Sequence, residues 1–124
     1  MNQLLAIASG GALGALMRYW VSGGIYALLG RGFPYGTLAV NLLGSLAMGF
    51  LYTLLIERMV ASPEWRAALL VGFLGAFTTF STFSIETLNL LEQAELFRAT
   101  LNILVSVTAC LLACWIGLVL GRQL

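Results

Sequence analysis

The chain alternates four long apolar runs with short polar interruptions. The runs extend over Leu4 to Leu29, Pro34 to Ile56, Ala67 to Leu91 and Ala99 to Leu120. Charge is largely confined to the gaps: Arg31, then Glu57 with Arg58, then Glu64 with Arg66, then Glu92, Glu95 and Arg98, and finally Arg122. Each run meets the roughly 20 residues that a helix rising about 1.5 Å per residue needs to cross a hydrocarbon core. None shows the strict alternation of a membrane β-strand, the only other backbone solution in lipid. The pattern therefore predicts an all-α integral membrane protein with four transmembrane helices and short connections, forming one domain over residues 1–124. Pro34 suits the first turn of the second helix, and Ser62, Pro63 and Glu64 read as a cap before the third. Glu92 to Glu95 reads as the last turn. The first run lacks a positive leader and continues well past Arg18, so it is expected to be a retained helix rather than a cleaved signal.

Composition agrees and narrows the class. With 60% hydrophobic and 9% charged residues and a mean hydropathy of +0.98, the chain has too much apolar surface for a soluble domain of 124 residues to hide. Histidine is absent, and the serines have no evident base, so an intramembrane enzyme is not expected. Arginine is divided almost evenly between the two ends of the bundle: Arg58, Arg66 and Arg122 at one, Arg31 and Arg98 at the other. Orientation normally follows a bias in such charges. Its near absence predicts insertion both ways and an antiparallel, dual-topology homodimer. Small residues at helix-packing spacing, Gly10 and Gly14, Ser45 and Gly49, Gly117 and Gly121, could serve either that interface or packing within the chain.

Polar groups inside the runs are the candidate chemistry. Arg18 lies well within the first, where a guanidinium must snorkel, guided by Tyr19 and Trp20, or find partners. With partners, it would draw an anion to a vestibule or cap carbonyls at a helix break. Thr37, Asn41 and Ser45 form a stripe at four-residue spacing on the second helix. Glu86 follows Thr82 by one turn on the third, and a carboxyl at that depth must be protonated, hydrogen-bonded to hydroxyls such as Thr82, or wet. Asn102 and Ser106 repeat the spacing on the fourth, with Thr108 on a neighbouring face. Most of these groups are hydrogen-bond donors, which suit an anion.

The stretch GFLGAFTTFS combines Gly72, Gly75, Thr78 and Thr79, poor helix formers whose hydroxyls compete for backbone carbonyls. It predicts a third helix broken near the midplane. Freed carbonyls there make a cation site, and two breaks meeting in an antiparallel dimer could hold one hard cation on the axis. Phe77, Phe80 and Phe83 recur every third residue. Phe77 reads as core; Phe80 and Phe83, set among Ser81, Thr82 and Ser84, could present their positive ring edges to a small, strongly hydrated anion.

Three ordered motifs, GGALGALMRY at 10–19, NLLGSLAMG at 41–49 and GFLGAFTTFSTFSIET at 72–87, resemble the Fluc (also called CrcB) family of fluoride channels over essentially the whole chain. The resemblance implies a dual-topology homodimer with two antiparallel pores in the cell inner (plasma) membrane, exporting fluoride passively and conferring resistance to it. It implies Asn41 as a pore-facing asparagine and Phe80 and Phe83 as pore phenylalanines contributed across the dimer interface. Gly75 and Thr78 would supply backbone carbonyls for a central structural sodium ion, from both subunits. Ser81, Thr82 and Glu86 would form a polar track, joined by Ser106 and Thr108, with Arg18 as a vestibule arginine. Expected partners are a second copy, fluoride, sodium and lipid, with no nucleic acid. The alternative is a small dual-topology transporter coupled to a proton gradient; it needs a carboxylate in the first helix, where this chain has Arg18. Cys110 and Cys114, four apart on an apolar helix, read as small packing residues.

Overall fold

The computed structural model describes residues 2–124. Helix α1 covers Asn2–Leu29, α2 Tyr35–Glu57, α3 residues 63–77, α4 Phe80–Glu92 and α5 Leu96–Gln123. Helices α3 and α4 together form the third span, Pro63–Glu92, so the chain has four spans long and apolar enough to cross a membrane. The described residues contain no strand.

Helical hydrogen bonding is indifferent to side-chain polarity, and the helices accordingly overrun the apolar runs. The third span begins at Pro63 rather than Ala67, and α5 begins at Leu96 rather than Ala99. Ser62 caps α3 as expected, its Oγ accepting from Trp65 N at 3.4 Å. Pro34 is the residue before α2 rather than within its first turn, and its carbonyl accepts from Leu38 N at 3.1 Å. Gly30, with φ +82°, ends α1 in the left-handed region that costs glycine least, its amide donating to Tyr26 O at 2.8 Å.

Two close helix pairs make the bundle: α1 against α3, and α2 against α5. Glycine permits both approaches. A Cβ at Gly10 or Gly14 would collide with the main chain of Ala68 or Phe73, and one at Gly49 or Gly117 with the facing backbone of α5 or α2. The small-residue spacing is thus used within the chain at these positions. Where α1 presses on α3, residues 67–74 adopt the wider π register, and Thr53–Glu57 does the same at the end of α2, Arg58 N donating to Thr53 O at 3.0 Å.

Most large apolar side chains face outward, as a chain surrounded by lipid requires. The polar ends are tied separately. Arg122 donates to both oxygens of Glu57 at 3.2 and 2.9 Å, and Arg58 Nη2 donates to Arg122 O at 3.1 Å. At the opposite end Arg98 Nη1 donates to Gly32 O at 2.9 Å. Midway along the third span the helix stops: Thr78 (φ −86°, ψ 159°) and Thr79 (φ −152°, ψ 112°) are extended.

Candidate functional site

An interrupted helix in an apolar bundle must satisfy its freed backbone groups from side chains. Asn41 on α2 does so for Thr79, its Nδ2 donating to Thr79 O at 3.1 Å and its Oδ1 accepting from Thr79 N at 2.7 Å. Arg18 on α1 reaches across to the same break and donates from Nε to Ala76 O at 2.9 Å. Carbonyl capping, one of the two functional readings of Arg18, is thus seen directly, and the same side chain also lines a cavity beside the break. Thr79 caps α4, its Oγ1 accepting from Thr82 N at 3.1 Å.

These bonds leave two carbonyls behind. In a continuous helix, Gly75 O would receive Thr79 N, and Thr78 O would receive Thr82 N. Both amides are directed elsewhere, to Asn41 Oδ1 and Thr79 Oγ1. Gly75 is exposed and lines a cleft with Thr78. The described residues contain no cluster of three or more His, Cys, Asp or Glu fit for a metal.

Two cavities flank the break, and Thr79 lines both. The larger, about 410 Å³, carries no charged side chain; Asn41, Thr78, Phe80, Phe83 and Ser106 are among the residues around it. The rings of Phe80 and Phe83 lie 5.3 Å apart between centroids, tilted by 39°. The smaller, about 210 Å³, is lined by Arg18, Arg31, Tyr26, Thr37, Thr82 and Glu86 among others. It thus carries two guanidinium groups and one carboxyl, next to an uncharged cleft lined by hydroxyls, an amide and two phenyl rings.

Glu86 does not bond Thr82. Thr82 Oγ1 instead pairs with Thr79 Oγ1 at 3.0 Å, because Thr79 is the cap and Thr82 sits in its reach. Tyr26 OH donates to Glu86 Oε2 at 2.7 Å and lies 3.2 Å from Thr37 Oγ1, while Glu86 Oε1 is enclosed and has no hydrogen-bond partner among the described residues. The Arg31 guanidinium sits 4.4 Å above the Tyr26 ring. Tyr26 was missed in the sequence, although Arg18, Ser22 and Tyr26 form a polar stripe at four-residue spacing that could have revealed it.

A second chain of bonds braces α4 on α5. Ser106 Oγ donates to Asn102 Oδ1 at 3.2 Å, Asn102 Nδ2 to Thr87 Oγ1 at 2.8 Å, and Thr87 Oγ1 to Phe83 O at 2.7 Å. Thr87 was likewise missed. It is a hydroxyl one turn after Phe83, visible only as part of a pair once α4 and α5 are docked. The structure thus gathers Asn41, Gly75, Thr78, Phe80, Phe83 and Ser106 on one cavity and Arg18, Thr82 and Glu86 on the other. Ser81 is exposed beside the break, 3.3 Å from Thr79 Oγ1, and Thr108 faces outward on α5, away from both.

Residues 5–118 match the family described as CrcB-like protein, Camphor Resistance (CrcB). The chain is 51% identical over 124 residues to the fluoride-specific ion channel FluC of Geobacter sulfurreducens, covering all of both chains. It is 53% identical over 120 residues to the protein of that name from Magnetococcus marinus, covering 97% of this chain and 98% of the relative. With that from Methylococcus capsulatus it is 60% identical over 121 residues, 98% of this chain, and spans about half (53%) of the relative's length.

Proposed function

The chain belongs to the CrcB family, and from that membership we propose that it is a fluoride-specific ion channel, passing fluoride passively out across the membrane and so conferring resistance to it. It is a multi-pass membrane protein, placed by this reading in the cell inner membrane. The observation that carries the reading is the break at Thr78 and Thr79, clasped by Asn41 and Arg18, which sets a positively lined cavity beside a neutral, ring-walled cleft.

Fluoride exchanges its water shell for fixed donors and ring edges along this route. Arg18 and Arg31 concentrate the anion in the smaller cavity, and Thr82 supplies a hydroxyl there beside Glu86. Asn41 holds the break, and one of its two Nδ2 hydrogens is not used in the clasp and can serve the ion. Phe80 and Phe83 then offer their positive edges, with Ser106 beyond them. Ser81 lies next to this route; Thr108, facing outward, joins it only if a second copy covers that face.

The working unit in this reading is an antiparallel, dual-topology homodimer with two pores. Its support is the near-even division of arginine between the ends, three against two, and the 76% exposure of Phe80, a ring with little of its own chain to pack on. The Gly75 and Thr78 carbonyls, deprived of their helical amides, fit a sodium ion, but two oxygens from one chain cannot enclose it. Two copies meeting at their breaks would supply four. Bound there, sodium contributes a fixed positive charge and ties the breaks together.

The test is ion efflux from vesicles containing the purified chain. Fluoride release with a permeant counter-ion, indifferent to an imposed proton gradient and far faster than chloride release, is expected. Release that requires the proton gradient makes the protein a coupled exchanger, and equal chloride release removes the selectivity.

A further inference from the structure

The ring-walled cleft has a second kind of lining. Cys110 and Cys114 stand one turn apart on α5, Met48 stands on the partner helix α2, and all three open onto the same space as Phe80 and Phe83. The sequence suggested packing roles for the two cysteines; both are part-buried and both line a volume of about 410 Å³. We infer that Met48, Cys110 and Cys114 form a binding site for one soft monovalent cation, such as copper(I) or silver(I).

Ligand chemistry selects the ion. Thiols and thioethers prefer soft cations; the cleft lining includes no carboxylate or imidazole, and the hard main-chain oxygens of Gly75 and Thr78 belong to the helix break between α3 and α4 rather than to α5. Residues four apart on a helix have Cβ atoms roughly 5–6 Å apart, near enough for two sulfurs to share an ion. That separation exceeds the roughly 3.5–4.5 Å between Cβ atoms that a disulfide needs, so the thiols stay free for a metal. Charge balance also fits an apolar cleft. The cation displaces the proton of one thiol; the S–H bond breaks, its electron pair stays on sulfur and forms the bond to the metal, and the proton passes to water. The second thiol and the Met48 thioether remain neutral donors, no oxidation state changes, and the filled site is uncharged.

A consequence rests on the fluoride-channel reading: an ion held on the wall beside Phe80 and Phe83 obstructs the path. The purified 124-residue chain is titrated with silver nitrate in chloride-free buffer, and bound silver, released protons and N-ethylmaleimide labelling are followed. One silver ion bound and one proton released per chain are expected, with both cysteines protected from labelling. Binding should disappear in the double variant Cys110→Ser, Cys114→Ser and weaken on the order of tenfold in Met48→Leu, which loses one neutral donor. Unprotected cysteines in the unaltered chain overturn the site without recourse to any variant, as does a double variant that binds silver equally well. Fluoride efflux from vesicles, measured for each chain against its own silver-free rate, should fall when silver is added. Stoichiometric binding with undiminished efflux overturns the placement of this cleft on the fluoride path while leaving the cation site standing, so the two failures are told apart.

Discussion

Phe80 and Phe83 touch each other but differ in what else they touch: Phe80 is 76% exposed and Phe83 9%. Packing and conduction can therefore be separated at these two positions. Phe80→Ile removes little contact within the chain, whereas Phe83→Ile disturbs a buried wall at about 1–3 kcal/mol. Both should slow fluoride efflux by about tenfold or more, equivalent to roughly 1.4 kcal/mol of barrier, while only Phe83→Ile lowers the melting temperature in detergent. Undiminished flux in either variant removes that ring from the path. Arg18 invites a similar distinction, because its Nε, not its charge alone, meets Ala76 O. Lysine keeps the charge but lacks the planar fork. Arg18→Lys should consequently lose nearly as much efflux as Arg18→Gln; a lysine variant with full flux would assign Arg18 to attraction of the anion only.

The third span shows how an element can be legible in outline and illegible in detail. Its interruption follows from Gly72, Gly75 and two consecutive threonines, all weak in a helix interior, and the break falls where that composition places it. Which threonine caps α4, and the wide register of residues 67–74, depend on neighbours: Asn41 on α2 takes the Thr79 backbone, and α1 presses its glycines onto Ala68 and Phe73. The glycine spacing was equally ambiguous before the helices were paired, since a small face fits a copy of the chain as well as another of its own helices. Gly14→Ala tests the assignment. Its Cβ would meet the Phe73 main chain, which cannot yield as a flexible side chain can, so a loss of about 1–3 kcal/mol is expected in thermal or denaturant unfolding. A variant with unaltered stability would mean that this seam has room to spare.

Net charge, end-to-end charge balance and dimer symmetry belong to the molecule as a unit. With three arginines at one end and two at the other besides Arg18, a few lysines added to one end should decide orientation. A reporter fused to the C-terminus should read both sides of the membrane in the unmodified chain and one side after lysines are added to one end; a one-sided reading in the unmodified chain refutes dual insertion. If sodium binds between the Gly75 and Thr78 carbonyls of two copies, it stabilises only the folded dimer. Exchange of sodium for a large organic cation should then lower the melting temperature and promote dissociation. Equal stability in both buffers would argue against a sodium ion at the breaks.

Span number, an all-helical backbone and a broken third helix were already present in the order of residues, because lipid allows few backbone solutions and glycine and threonine weaken a helix wherever they cluster. The polar stripes of Asn41 and Ser45, and of Asn102 and Ser106, were visible for the same reason: they are periodic along single helices. What those groups bond to was not visible. The pairing of Asn41 with Thr79, of Arg18 with Ala76 and of Tyr26 with Glu86 spans 38, 58 and 60 residues, and the outward turn of Thr108 depends on which face of α5 meets α2. Only tertiary packing decides such matters, since periodicity fixes a side chain's position around its own helix axis but not which neighbouring helix, at what height, stands opposite it.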